Sequence, residues 1–538
     1  MDFNDYRQMQ RPITFFLILS MTLIICCHSH RNYKKLDIEV IPHPEDVYYV
    51  DARNGNDNYP GTIRKPIKSI GELNFRIKRK AADICFGGEE VFDGTLLLSD
   101  IKRNDTNPIK ITSRGTGKAV INGANAEAIK IENCQNILIT NIDIKGSGRK
   151  EGNKTNGLSL AHSRKCKIEN VKAEGFQKSG VDLYDCSESE VENVVASDNG
   201  FCGINIMGSE KRNSHNIMIH NCMAENNPGD PTNLDNHSGN GILVGVSDSV
   251  IIDHSSATDN GWDMPRQGNG PVGIWTWESD HVTIQYCISY RNKTSKNAKD
   301  GGGFDLDGGV TNSVIQYCLS YENQGSGYGL FQYAGASAWS NNIVRYCVSI
   351  NDAQKTEGAG SIFIWNGSDD VQQLSDCKIY NNVIYNTYAP LITFETSSAH
   401  KNFTFCNNIF LGSPDPIIGN INGSIFLGND WWNPGGNIEF MKFANLADWA
   451  KSTGQEMLKG KFVGIQKDPK LNGPFSTDIT DPDQLEKLSG YILQPDSPLK
   501  NKGLNLNSAF GIIQPTKDFY GNPVPAGVTP EPGIFKME

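Results

Sequence analysis

Ile284-Gln285-Tyr286-Cys287, Ile315-Gln316-Tyr317-Cys318 and Val344-Arg345-Tyr346-Cys347 are three copies of one short segment, and their recurrence decides the fold. They alternate with a second segment, a glycine followed by alternating residues. It reads Gly157-Leu158-Ser159-Leu160, Gly180-Val181-Asp182-Leu183 and Gly203-Ile204-Asn205-Ile206, then recurs at Gly241, Gly273, Gly303 and Gly329. The first three glycines are 23 residues apart and the later ones about 30, a period typical of solenoids and propellers. A propeller blade needs four antiparallel strands, for which these repeats are too short. Aligned on the cysteine, successive repeats hold Ile142, Val171, Val194, Cys222, Ser255, Cys287, Cys318, Cys347, Asn382 and Asn408. This predicts about ten coils of two or three short parallel strands each. Asn199-Gly200 and Asn260-Gly261 suit the corners, since both residue types accept positive φ.

With 538 residues the chain has length for two or three domains, but in a solenoid each coil buries its face on its neighbours, so one long domain suffices. Charged residues make up only 21%, and the net charge is −11. With no long basic run, nucleic acid is excluded as a partner class. Arg7 and Arg11 precede an apolar run from Ile13 to Cys27, the pattern of a signal peptide. Residues 1–27 are therefore read as a leader and 28–45 as a spacer, with export to the periplasm or medium. Cys26 or Cys27 is the candidate lipid acceptor for an outer-membrane lipoprotein. No later segment is apolar enough to cross a membrane. Cys222, Cys287, Cys318 and Cys347 share one place in successive coils, which predicts a buried ladder of free thiols rather than disulfides. The close-spaced CxxC and CxxH patterns of zinc sites are absent.

Residues 46–125 form an N-terminal segment that starts with a strand, Val47–Val50. Ser69 and Glu72 make a capping box ahead of a helix whose apolar face is Ile70, Leu73 and Ile77. Such a helix would cover the open end of the solenoid. The repeats run from 126 to 415. Residues 416–538 form a C-terminal cap, with a short helix at Asn445–Ala450 and a Pro- and Gly-rich tail running back along the coils.

Three stretches carry a family resemblance: Tyr49-Val50-Asp51 through Asn54-Gly55-Asn56-Asp57 to Pro60-Gly61-Thr62, Ser113-Arg114-Gly115-Thr116-Gly117-Lys118-Ala119, and Asp518-Phe519-Tyr520-Gly521-Asn522-Pro523. Over residues 45–535 the chain resembles secreted, pectin-lyase-like carbohydrate-active proteins of Bacteroidota. The resemblance implies an all-β, right-handed parallel β-helix, a single-stranded solenoid. That superfamily includes lyases, glycoside hydrolases, epimerases and esterases, so the fold alone does not set the reaction. More loosely, the chain is similar to lyases and dehydratases that act on ulvan and other uronic oligosaccharides.

The residue after each glycine is apolar: Leu158, Val181, Ile204, Ile242, Ile274, Phe304, Leu330. It should face inward, so the next residue faces out. The outward series is Ser159, Asp182, Asn205, Leu243, Trp275, Asp305, Phe331, followed two residues on by Ala161, Tyr184, Met207, Gly245, Trp277, Asp307, Tyr333. Trp275 and Trp277 are then expected one rung from Asp305 and Asp307, with Phe331 and Tyr333 on the far side. Carboxylates flanked by aromatic rings suit a sugar chain, and large exposed apolar patches mark binding sites. The loops lengthen at the same place: 225–240, 259–271 and 291–302.

Three chemistries fit this groove. In β-elimination on a uronic acid, His237, Arg266, Arg291, Lys293 and Lys299 are candidates to act as base or to neutralise the carboxylate. Asp235 and Asn236 would orient His237, and Tyr333 or Tyr184 would serve as acid. Calcium assistance would use Asp300, Asp305 and Asp307; Asp300-Gly301 and Phe304-Asp305-Leu306 are similar to part of the calcium-dependent pectate lyases, though the consecutive Asp pair is missing. Hydrolysis would pair Asp305 with Asp307, with Asp182 and Asp263 as further acids. Elimination is the preferred reading, by a polysaccharide lyase or oligosaccharide dehydratase, and hydrolysis is the runner-up. Non-catalytic glycan binding is the third. The expected substrate is an acidic glycan held by Arg266 and Arg291 with Trp275, Trp277, Phe331, Tyr184 and Asp182, bound by a monomer that needs no partner protein.

Overall fold

The computed structural model describes residues 46–538, apart from 105, 211–212, 297, 369, 396–398, 526 and 538. The leader, the spacer and Cys26 and Cys27 lie outside the described residues.

The chain winds into a parallel β-helix. One sheet stacks twelve short strands in chain order, from Leu96–Ser99 to Ile417–Ile418. A second, 25-stranded sheet supplies the remaining sides of the coils. The twelve rungs exceed the ten coils read from the repeat. The extra ones come from strands such as Leu96–Ser99 and Ile417–Ile418, which lack the glycine signature. The inward series is as the alternation requires: Val181 pairs with Ile204, Ile204 with Ile242, Ile242 with Ile274 and Ile274 with Phe304, and all are fully buried.

The rung glycines are explained by what lies behind them. Asn199, Asn227, Asn260, Asn292 and Asn323 form a buried ladder. Each side-chain amide donates to the Oδ1 of the next, at 3.1, 2.8, 2.9 and 2.9 Å, and Asn323 donates to Asp352 at 2.8 Å. A Cβ on Gly273 would lie 2.5 Å from the Asn292 amide, and one on Gly303 2.9 Å from that of Asn323. No side chain fits there. The asparagines are not the left-handed corner residues that the Asn-Gly pairs suggested. The residues before them take that role, Asp198 at φ 57° and Asp259 at φ 54°, while the asparagines turn inward to satisfy backbone groups.

The glycine alignment fails at one rung. Phe304 pairs with Tyr328, and Asp305 with Gly329, so the glycine equivalent to Gly303 is Gly327, not Gly329. Gly327 packs against Asp352, where a Cβ would come within 2.4 Å. Tyr328 takes the inward position because its hydroxyl donates to the carbonyls of Cys318 and Val348, at 3.1 and 2.9 Å.

The cysteine ladder is buried and unpaired. From Cys347 it passes into a second amide ladder, Asn382, Asn408 and Asn429, which ends on Glu456. Helix Ile70–Ile77 buries Ile70, Leu73 and Ile77, and Ser69 caps it by accepting from the Glu72 backbone at 3.2 Å. The Glu72 carboxylate pairs with Arg76 at 2.7 Å instead of closing the capping box. Helix Leu446–Thr453 covers the other end with Leu446, Trp449 and Ala450. The C-terminal tail packs over a column of stacked tyrosines, with Tyr317 and Tyr321 donating to the carbonyls of Lys517 and Ile479. Asn292→Ala should therefore lower unfolding stability by about 3 kcal/mol, because buried partners in both neighbouring rungs lose their bonds; calorimetric melting against the parent chain checks this.

Candidate active site

The outward face of the twelve-stranded sheet carries a groove of about 720 Å³ over the strands Val272–Trp277, Gly302–Leu306, Tyr328–Gln332 and Ile362–Asn366. Each of the three long loops feeds it: His237 comes from the first, Arg266 from the second, and Lys299 and Asp300 from the third.

Strand register sets its floor. Trp275 stands beside Asp305, Gly329 follows, then Phe363. In the neighbouring column Phe331 pairs with Trp365. The two-residue shift at Tyr328 thus places glycine, not Phe331, next to Asp305. A Cβ on Gly329 would sit 3.0 Å from Asp305 Oδ1 and 2.8 Å from the Phe331 ring, so this glycine makes room for both. Tyr333 folds over Gly308, where a Cβ would come within 2.4 Å of its ring. Trp277 lies over Gly245 in the same manner.

Three of the carboxyl groups that line the groove, Asp300, Asp305 and Asp307, differ in their surroundings. Asp305 is 3% exposed, and its Oδ1 has no hydrogen-bond partner. Burial, then the nearby Asp307 and Asp300, hold its pKa well above the ordinary range. Burial also lifts Asp307, to about 7, against a 2.7 Å hydrogen bond from the Gly308 amide. Asp300 rises to about 6, also by burial, opposed by the Gly270 amide, Lys299 and Arg266. All three shifts favour the protonated form, with burial the largest cause in each. Tyr333 is pushed upward by burial and by Glu278 and Asp307, so its phenol keeps its proton. Arg266 and Lys299 form no ion pair within the described residues.

His237 is held by a residue the sequence did not single out. Asn240 Oδ1 accepts from the Trp275 indole at 3.1 Å and its amide donates to the Phe201 carbonyl at 3.1 Å, which fixes the amide's orientation. That amide then donates to His237 Nδ1 at 3.0 Å, leaving the ring proton on Nε2. Burial and Arg266 lower the His237 pKa to about 4. His237 is therefore a neutral donor at physiological pH, not the base envisaged for elimination. Asn236 accepts from its backbone N–H at 2.8 Å, while its ring is set by Asn240.

The structure gathers His237, Asp300, Asp305, Asp307, Tyr333, Arg266, Trp275, Trp277, Phe331 and Lys299 around one cavity. It leaves out Asp182, Tyr184, Arg291, Lys293 and Asp263. Asp182 lies on the same face but four rungs from Asp305, roughly 19 Å, bonded to Asn205 at 2.6 Å. Tyr184 packs against His162. Arg291 lies over Tyr290 and beside Asp259, and Lys293 also pairs with Asp259. Asp263 is claimed by Arg149 and Lys150. Phe363, Trp365 and Glu395 line the groove and were missed. Their signal was the alternation of Phe363 and Trp365, hidden because that rung lacks the glycine start. A calcium site is not supported by this arrangement. Among the described residues two groups bring three ligand atoms within 4.8 Å of one another, and Asp300, Asp305 and Asp307 are not one of them.

The sequence matches the family model described as the right-handed beta helix region over residues 95–237 and 231–374. This is more than half of the chain, and the protein belongs to that family. No curated protein matches the sequence. Among solved structures, a GH136 lacto-N-biosidase from Eubacterium ramulus is 17% identical with a TM-score of 0.42. The match covers 65% of this chain and 65% of that one, just under two thirds of its length. An alginate lyase from Paenibacillus sp. is 16% identical over 56% of this chain and 96% of its own, with a TM-score of 0.38. The pectate lyase Pel9A is 15% identical over 91% and 96%, with a TM-score of 0.40.

The raised acid at Asp307 carries a stability consequence. A carboxyl whose folded pKa exceeds its unfolded value binds its proton more tightly in the fold. It therefore costs stability as pH rises from the ordinary Asp value, about 4, to its folded value. Asp307→Asn should melt at a higher temperature than the parent, by a margin that widens up to pH about 7 and then levels off. A pH series of melting curves checks this.

Proposed function

We propose that this protein is an exported carbohydrate-active enzyme that hydrolyses glycosidic bonds of an acidic glycan. One observation carries the reading: Asp305, Asp307 and Asp300 lie in one groove with their proton affinities pushed apart. Paired titratable groups with separated pKa values are the usual acid–base assignment of an active site. In this reading Asp305, its pKa pushed up by burial and its Oδ1 without a partner, donates to the leaving glycosidic oxygen. Asp307 or Asp300 takes the proton from attacking water. Trp277, Phe363 and Trp365, each half-buried, offer ring faces to the sugars. Neutral His237 donates from Nε2 to a sugar oxygen. Arg266 and Lys299 meet the negative charge of the substrate, as an acidic protein binding an acidic glycan requires.

Those two unpaired cations also support a second reading, elimination at a uronic residue, where they would offset the substrate carboxylate and Asp307 would abstract the proton. A panel of pectin, alginate and ulvan fragments separates the two. Hydrolysis releases reducing ends without the ultraviolet absorbance of an unsaturated uronide; absorbance rising with cleavage would replace hydrolysis by elimination. Binding without either signal would overturn catalysis. Asp305→Asn should lower kcat by about 10³-fold with little change in KM. In the parent, kcat/KM should rise between pH 6 and 7 as Asp300 and Asp307 ionise and fall at higher pH as Asp305 loses its proton.

A further inference from the structure

We propose that His220, Asp253 and His254 form a binding site for a divalent transition-metal ion of the zinc type, joining two adjacent coils outside the groove. His220 and Asp253 end the paired strands Ser214–His220 and Ser247–Asp253 and stand directly opposite each other. His254 follows at φ 45°, a left-handed turn that brings its ring back toward the same carboxylate. The result is one aspartate between two imidazoles. His220 Nδ1 lies 3.1 Å from Oδ2 and His254 Nδ1 lies 2.9 Å from Oδ1. One ligand atom from each residue falls within 4.8 Å of the other two. None of the three lines the groove.

Two histidine–aspartate ion pairs would be the ordinary account of this cluster. On one side the two partners are poorly aligned for it. His254 Nδ1 and Asp253 Oδ1 are both shut off from solvent and lie 2.9 Å apart but out of line for a well-formed hydrogen bond, although the carboxylate still pushes the imidazole's pKa up against its burial. Buried polar atoms without partners are costly. A cation placed between them satisfies both, since coordination does not require a proton on the line joining them. Two neutral imidazoles and one carboxylate are the donor set of zinc and its first-row neighbours, with a fourth position left for water. Calcium prefers oxygen ligands alone. The other such cluster, Asp248, Asp280 and His281, is a weaker candidate. Its Asp280 Oδ1 already accepts from the Thr311 hydroxyl and the Asn312 amide, at 2.8 and 2.7 Å. The ligands also explain why no zinc motif shows in the sequence: His220 and Asp253 are 33 residues apart and meet only because coils stack.

The test uses the full chain without a histidine tag, stripped with chelator and titrated with Zn²⁺ by calorimetry and with Co²⁺ by visible spectroscopy. One ion per chain is expected, with Co²⁺ absorption bands of a four-coordinate nitrogen–oxygen site and a melting temperature that climbs with free metal. His220→Gln and His254→Ala should lose the binding, and His281→Ala should keep it. His254 packs on Tyr286 at 4.9 Å, so its removal can disturb the fold. His220, with a side chain 39% exposed, gives the cleaner variant, and its melting in chelator should match the parent. Absence of saturable binding, or one-to-one binding that survives His220→Gln, overturns the proposal. Glycan cleavage is read in parallel and should be unchanged in His220→Gln, so failure here is distinct from failure of the groove's assignment.

Discussion

The side-chain amide that bridges one coil to the next is the constraint on which the rest of the molecule depends. A parallel stack has no hairpins to set its register, and a slip of one residue would turn every side chain to the wrong face. The ladder from Asn199 to Asp352 prevents that slip by requiring each buried amide to meet the next. It also dictates glycine at the strand starts, since those backbones pass within contact of the amides. Once the register is fixed, the outward columns are fixed too, and the groove follows from which residues occupy a few successive rungs.

Within those rungs the physical choice is to bury acids. Asp305 sits buried on a strand face flanked by rings, so water is kept from its charge, while Asp307, just past the strand end, is half-buried. The fold tolerates this because the rungs beneath are held by the ladders and by a continuous apolar core. Burial first, and then the neighbouring Asp307 and Asp300, favour the protonated form of Asp305.

Much of this was legible in the chain. Alternation behind each glycine distinguished inside from outside, and the break in the outward series at Trp275, Trp277, Asp305 and Asp307 marked the groove. What escaped had definite causes. Gly329 counts as the rung glycine in the sequence, but Tyr328 holds the first inward position, where its hydroxyl meets two buried carbonyls, so Phe331 stands two residues further along its rung than the count places it. Asn240 precedes a rung glycine like any other corner residue; only the folded contacts with Trp275 and His237 reveal its role. Arg291 and Lys293 belong to the right loop but point to the opposite side, where Asp259 and Tyr290 receive them. Sequence spacing predicts which coil a residue joins more readily than which way a loop side chain turns.

Both amide ladders finish on a carboxyl group, Asp352 in one and Glu456 in the other. An asparagine in the series accepts on one side and donates on the other, so every coil that carries one is interchangeable with its neighbours at that joint. A carboxyl group accepts and has no amide to pass on. Coils can thus be duplicated or lost between Asn199 and Asn323 without redesign of the joint, whereas the coil bearing Asp352 is a stop. The ladder-bearing stretch is in this sense closed by punctuation.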